Sequence, residues 1–189
     1  ETRPDKKKYD LAILVNPQEA YPPSDEKAIQ RFIKAADQAG FYTELITKND
    51  LDKLIQFDAL FIRETTFVNH HTFRFAKKAQ SLGLAVIDDP DSILKCTNKV
   101  YLFELLNNNK VLTPKSFVIS KENYKSLTEK LSFPFILKQP DGAFSKGVFK
   151  INNAEEYKNV TATQFKDSDL LIAQEYLPTP FDWRVGVID

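Results

Sequence analysis

Cysteine is nearly absent. Cys96 is the single one in 189 residues, so no intrachain disulfide can form, and the cytoplasm is the default expectation for compartment. Histidine is almost as scarce. The only two, His70 and His71, are adjacent, so no Ser/His/Asp or Cys/His arrangement for nucleophilic catalysis is evident, and Cys96 reads as a buried or bystander thiol. A charge excess is missing as well, because 26 basic residues balance 26 acidic ones. Without net positive charge the chain has no general grip on a phosphate backbone, which argues against nonspecific nucleic-acid binding. The run Lys6-Lys7-Lys8 is short and reads as a solvated leader over residues 1–8. No apolar run is long enough to span a bilayer and no signal-peptide pattern occurs, so no membrane partner is expected. Internal repeats and low-complexity tracts are lacking too.

What is there is ordinary globular material: 42% hydrophobic and 28% charged residues, with 15 Phe and 7 Tyr to fill cores. Leu11 to Val15 is a continuous apolar run and predicts a buried strand. Ser24 or Asp25 caps a helix carrying Ile29, Phe32, Ile33 and Ala36 on one face, and Gly40 stops it. Strands follow at Phe41 to Ile46, Ala59 to Ile62 and Leu84 to Ile87, with a helix over Thr72 to Leu82. This alternation predicts a parallel sheet covered by helices on both faces. Asp88-Asp89-Pro90 marks a break. Helical stretches at Ser92 to Cys96 and Asn98 to Leu106 lead into a different rhythm. Strands are expected at Ser116 to Ile119, Phe133 to Lys138, Gly147 to Ile151 and Leu170 to Glu175, and helices at Tyr124 to Leu131 and Glu155 to Lys158. The fold class is therefore α/β, with a parallel-sheet domain over residues 9–95 and a partial α+β module over 96–189. The chain begins without Met and its last residues read as a strand stopped in progress, so a fragment of a longer protein is the expectation.

The most informative stretch is Phe133 to Val148. An apolar strand delivers Lys138 at its end, and a loop bounded by Gly142 and Gly147 follows, with Ser145 and Lys146 inside it. Glycines let backbone N–H groups approach an anion, and lysines add charge, so a phosphate chain fits the set. The glycine spacing matches a Walker A loop, but Val148-Phe149 stands where Lys-Ser/Thr is required and a strand replaces the helix. The segment reads instead as a hairpin flap closing over phosphates, against the plain alternative of a glycine turn with a snorkelling lysine. A second apolar strand ends in Gln174-Glu175, then Tyr176-Leu177-Pro178. Such a polar strand end can pair with the edge of a purine, or simply reach solvent. Asp182 and Arg184 alternate with Trp183 and Val185 and so share one strand face. They could serve a ribose and a phosphate, or form a surface ion pair worth little. Lys99 opens a helix after Asn98.

Taken together and in this order, Asn98-Lys99, the Lys138 strand, the Gly142 to Gly147 loop, Gln174-Glu175-Tyr176 and Asp182-Trp183-Arg184 resemble the ATP-grasp ligases. Ile87 to Lys99 and Leu112 to Lys115 add to the likeness, which covers roughly residue 9 to the end. Within that superfamily the chain is most similar to the RimK-like glutamate ligases. The resemblance implies a pre-ATP-grasp domain followed by part of the ATP-grasp domain. It implies Lys99 and Lys138 on the nucleotide, a flap around Ser145 and Gly147, and adenine held by Gln174, Glu175 and Leu177, the last two largely through backbone atoms. It implies Asp182 near the ribose and Arg184 near the transferred phosphoryl or acyl group, as the catalytic residue. Carboxylate and amine substrates, amino acid or peptide, are implied as partners. Arg63, at a strand's C-terminal end, suits the carboxylate because open sheets bind ligands there; Asn69, His70 and His71 lie close by in sequence. The cofactor set implied is ATP with Mg2+, the magnesium ligands being expected beyond residue 189. The flap departs from the family in having Ala143-Phe144 at a usual glycine position. Two other readings are a non-catalytic nucleotide-binding module and a receiver-like or dinucleotide-binding domain using Asp88 and Asp89. No G-x-G-x-x-G follows the first strand, and Asp89-Pro90 looks like a helix cap.

Overall fold

A computed structural model describes residues 8–141, 147–183 and 185–186. The chain divides into two compact units, Glu1–Thr97 and Asn98–Asp189. Among the described residues no helix is long and apolar enough to cross a membrane.

The first unit is a parallel sheet of four strands: β1 (Tyr9–Leu14), β2 (Phe41–Ile46), β3 (Ala59–Ile62) and β4 (Ala85–Ile87), in the order β2-β1-β3-β4. Three α-helices accompany it, α1 (Glu26–Gln38), α2 (His71–Ser81) and α3 (Pro90–Thr97), with a 3-10 helix at Leu51–Gln56. Alternation along the strands assigns the faces. Ala12, Leu14, Leu60 and Ile62 join Phe75, Ala76 and Ala79 of α2 and Ile93 of α3 in one core. On the other face, Phe61 meets Phe32 of α1 edge-on, with ring centroids 5.0 Å apart. The order of α1 and α2 along the chain, with right-handed crossovers, puts them on opposite faces of a sheet that grows in both directions from β1. Asp25 caps α1, its Oδ1 accepting from Ala28 N at 2.7 Å. Gly40 and Gly83 stop α1 and α2 at φ of 87° and 79°, a region that costs a residue with Cβ about 1–2 kcal/mol. Asp89 caps α3 through Asp91 N and Ser92 N. Cys96 is exposed: Ile93 takes the core position of this short helix and leaves the thiol on the outer side.

The second unit contains α4 (Lys99–Asn108), β5 (Ser116–Ser120), β6 (Phe135–Lys138), β7 (Val148–Ile151), α5 (Ala154–Gln164) and β8 (Leu170–Glu175). Its four strands form an antiparallel sheet in the order β5-β8-β6-β7. Two elements differ from expectation. Tyr124–Glu129 is a 3-10 helix rather than an α-helix; Tyr124 and Leu127 are spaced by three, which that tighter coil stacks on one side. Helix α5 runs well past Lys158 to Gln164. Its β-branched Val160, Thr161 and Thr163 weaken the local signal, but burial of Tyr157 and Thr161 overrides propensity, and Asn153 caps it at Glu156 N, 2.9 Å away.

Candidate nucleotide site and relatives

The pleat of the second sheet sorts its side chains into a core face and a working face. Ile119, Phe135, Leu137, Ile151, Leu171 and Ala173 are packed in the core against Tyr157 and Phe165. Their neighbours must therefore point the other way. Register brings those neighbours together across three strands: Ile136 sits opposite Gln174, Lys138 opposite Ile172, and Ser116 opposite Gln174. The result is a patch with an apolar floor and a line of polar groups at its edge.

Lys138 is the centre of that line. Its Nζ donates to Gln174 Oε1 at 2.5 Å, and Gln174 Nε2 donates to Ser116 Oγ at 2.9 Å. Ser116 in turn donates to the Pro114 carbonyl at 2.8 Å, so the amide is fixed from both ends. The ammonium thus meets a neutral oxygen and no carboxylate among the described residues. Burial lowers the proton affinity of Lys138. Lys99 is lowered by burial and then by the charge of Lys138, with Asp141 acting the opposite way. The two cations are therefore electrostatic neighbours. Lys99 is placed by the cap of α4, where Asn98 Oδ1 accepts from Val100 N and Tyr101 N, each at 3.0 Å. Its own N–H donates to Pro140 O at 3.0 Å, and Asn98 Nδ2 reaches Asp141 Oδ1 at 3.0 Å. The helix start is thereby stitched to the segment just after β6.

Gly147 closes the base of the hairpin, its carbonyl accepting from Gln139 N at 3.0 Å. Its φ is 73°, and a Cβ there would stand 2.8 Å from Gln139 Oε1. Glu175 falls on the core side of the pleat, next after Gln174. Its Oε1 accepts from Lys115 N at 2.7 Å and its N–H donates to Lys115 O at 2.8 Å, so the side chain is occupied away from the working face. Leu177 is exposed. Asp182, in a stretch without regular structure, accepts from Thr179 Oγ1 at 3.3 Å and meets neither lysine among the described residues. Ser145, Lys146 and Arg184 lie outside the described residues. Sequence reasoning overlooked Ser116, whose part depends on a strand pairing 58 residues apart, and Lys150, whose Nζ lies 3.9 Å from the centre of the Tyr176 ring.

Arg63 follows β3 in the first unit. Its Nε and Nη2 donate to Ser24 Oγ at 2.9 and 2.6 Å, and Nη2 also donates to Pro23 O at 3.0 Å. The guanidinium carbon lies 5.4 Å from the centre of the Phe32 ring and 5.1 Å from that of Phe61. Arg63 thus ties down the loop after β1, on the rim of a cavity of about 380 Å³ that also includes Asn16 and Ser24. Beside it, Glu64 was not singled out from sequence. Its carboxyl is buried and pushed up to about 7 by that burial, and Oε2 lies 2.6 Å from His71 Nε2.

No family model matches the chain. Among characterised proteins it is 31% identical over 108 residues to the alpha-aminoadipate–LysW ligase LysX of Sulfurisphaera tokodaii, covering 53% of this chain and 37% of that protein. Against LysX of Saccharolobus solfataricus the identity is 26% over 166 residues, or 82% of this chain and 56% of the relative. The chain thus spans about a third to a half of the length of these relatives. Among solved structures, the RimK domain ATP-grasp protein of Sphaerobacter thermophilus superposes with a TM-score of 0.71 at 14% identity, over 89% of this chain and 64% of that one. Fold and relatives point the same way: the chain has the fold of the RimK domain ATP-grasp protein and is similar in sequence to part of the LysX ligases.

Proposed function

We propose that this chain forms the nucleotide-binding part of an ATP-dependent carboxylate–amine ligase. The observation that carries the reading is Lys138: a half-buried ammonium, paired to a neutral amide, beside a second half-buried lysine. Two like charges brought out of water destabilise an empty site and favour a polyanion that neutralises both. The apolar floor of Ile136 and Ile172 suits a purine ring, and the strand end at Gln174 to Leu177 offers backbone groups for its edge. Asp182 would take the ribose hydroxyls and Arg184 the transferred phosphoryl or acyl group. Ser145 and Gly147 would belong to the flap over the phosphates.

The reaction we assign passes the γ-phosphoryl group of ATP to a substrate carboxylate. The acyl phosphate formed is then attacked by an amine, giving an amide, ADP and phosphate. Such chemistry rests on positioning and charge neutralisation, in keeping with a site built on Lys99 and Lys138 rather than on a nucleophile. Arg63 would serve the carboxylate substrate by fixing the loop from Pro23 to Ser24 and lending charge at the C-terminal edge of the sheet. Magnesium is the metal this chemistry calls for. Among the described residues of the second unit no group of three metal-ligating side chains is gathered, so no step is assigned to the metal here. We place the protein in the cytoplasm, and take an amino acid or peptide as the amine.

Thermal unfolding with and without Mg-ATP tests the reading, with Mg-GTP as the control. ATP at about a hundred times its Kd should stabilise the native state by roughly 2.7 kcal/mol, and GTP should do much less. Equal effects of the two nucleotides, or no effect of ATP on the full-length protein, would overturn it.

A further inference from the structure

The C-terminal edge of the parallel sheet holds a second constellation, independent of the nucleotide site. Glu64 leaves β3 with its side chain only 1% exposed. One carboxylate oxygen, Oε2, lies 2.6 Å from His71 Nε2, and the other, Oε1, is buried with no hydrogen-bond partner. His70, at the N-cap position of α2, packs against His71 with the rings tilted by 42° and their centroids 3.9 Å apart, and its Nδ1 lies 3.0 Å from Thr72 Oγ1. One carboxylate oxygen and one ring nitrogen from each histidine all lie within 4.8 Å of one another. Glu64 and His71 also line a cavity of about 240 Å³ with Asn16, Thr47 and Lys48.

A buried carboxylate oxygen left without a partner carries an uncompensated desolvation penalty, so the fold keeps it there at a cost. Both imidazoles are held toward their neutral form, chiefly by burial, and a neutral imidazole is the form that binds metal. Two imidazoles and one carboxylate, with room on one side, is the donor set of an open zinc site. Bonds of about 2.0–2.1 Å place tetrahedral ligands roughly 3.3 Å apart, so the three donors need shifts of about 1 Å to close on one ion. Nitrogen donors favour a borderline transition metal over magnesium, which prefers an all-oxygen shell. The position is also where a sheet that grows both ways from β1 opens a crevice. Lys48 and Arg74 weigh against a dication there, and Glu19 weighs for it.

We propose that Glu64, His70 and His71 bind one zinc-like divalent ion, with its open coordination positions facing the cavity beside Asn16 and Thr47. The ion takes the place of the proton shared by His71 Nε2 and Glu64 Oε2 and satisfies the orphaned Oε1. His70 is steadied from behind by Thr72.

The test is equilibrium dialysis of the tag-free chain against Zn2+, with Co2+ as a spectroscopic probe. One ion per chain should bind, a hundredfold excess of Mg2+ should leave it in place, and Co2+ should give the strong visible bands of a low-coordinate site. Glu64→Gln and His70→Ala should each weaken binding at least tenfold. Because Glu64→Gln touches a buried group, His70→Ala with an unchanged circular dichroism spectrum is the decisive variant. Absence of saturable binding, displacement by Mg2+, or undiminished binding in folded His70→Ala would overturn the proposal.

Discussion

Replacing Lys138 by methionine should separate binding from stability. Methionine keeps most of the apolar stem, so packing over Ile136 and Ile172 changes little. What the empty fold loses is the 2.5 Å bond to Gln174, of a class worth about 1.5–3 kcal/mol. What it gains is relief from two penalties visible in the structure: the ammonium is half-buried, and its charge disfavours the charged form of Lys99. A lysine whose folded proton affinity is lowered destabilises the fold while charged, and that penalty vanishes only as pH rises past its ordinary value. The terms oppose each other, so denaturant unfolding at neutral pH should shift by no more than about 1 kcal/mol, within the range of ordinary substitutions. Nucleotide binding has no such offset. Losing a charge-assisted contact to phosphate should cost about 1.5–3 kcal/mol, which is roughly 10- to 150-fold in Kd for ATP. Titration calorimetry of both proteins measures this directly. The chemical reactivity of Lys99 offers a second readout, since removing Lys138 should raise its proton affinity and slow its acylation at pH 8. If the variant unfolds more than 2 kcal/mol earlier and binds ATP as before, Lys138 is a structural pin and the nucleotide reading fails.

Further consequences can be checked alongside. Gly147→Ala should destabilise the β6–β7 hairpin by about 1–2 kcal/mol and weaken ATP several-fold; adding Gln139→Ala should recover part of the stability, because Gln139 Oε1 is what the new Cβ strikes. Asp50, whose carboxyl is held at about 2 by Lys53 and by Thr47, contributes stability that is complete above its ordinary value near 4 and fades as pH falls toward 2. After solvent screening this is worth about 1 kcal/mol, so Asp50→Asn should flatten acid unfolding in that window. Phe75→Ala, at a site only 1% exposed, should cost about 3–5 kcal/mol in urea titrations.

Much of the first unit was legible because each element carries its own signal. A continuous apolar run makes β1, and glycines at positive φ end α1 and α2. The positions of Lys138 and Gln174 as polar ends of apolar strands were legible too. Their contact was not, because it depends on β8 inserting between β5 and β6, a pairing between residues 36 apart that no local pattern encodes. Glu64 escaped notice for a related reason. An acid after a strand reads as a solvated charge, and only the packing of α2 encloses it. The 3-10 form of Tyr124–Glu129 and the length of α5 show tertiary burial overruling weak local preference.

The two-faced pleat of the second sheet has a consequence for how its length can vary. Phe135 and Leu137 fill the core while Ile136 and Lys138 face the site, so the parity of a residue's position decides its task. Deleting one residue within β6 would turn every later side chain of that strand over, sending a lysine into the hydrocarbon core and a leucine to the opposite face. Removing two would restore the parity. In these strands, length changes can be absorbed only in pairs, and an odd one removes fold and site in a single event.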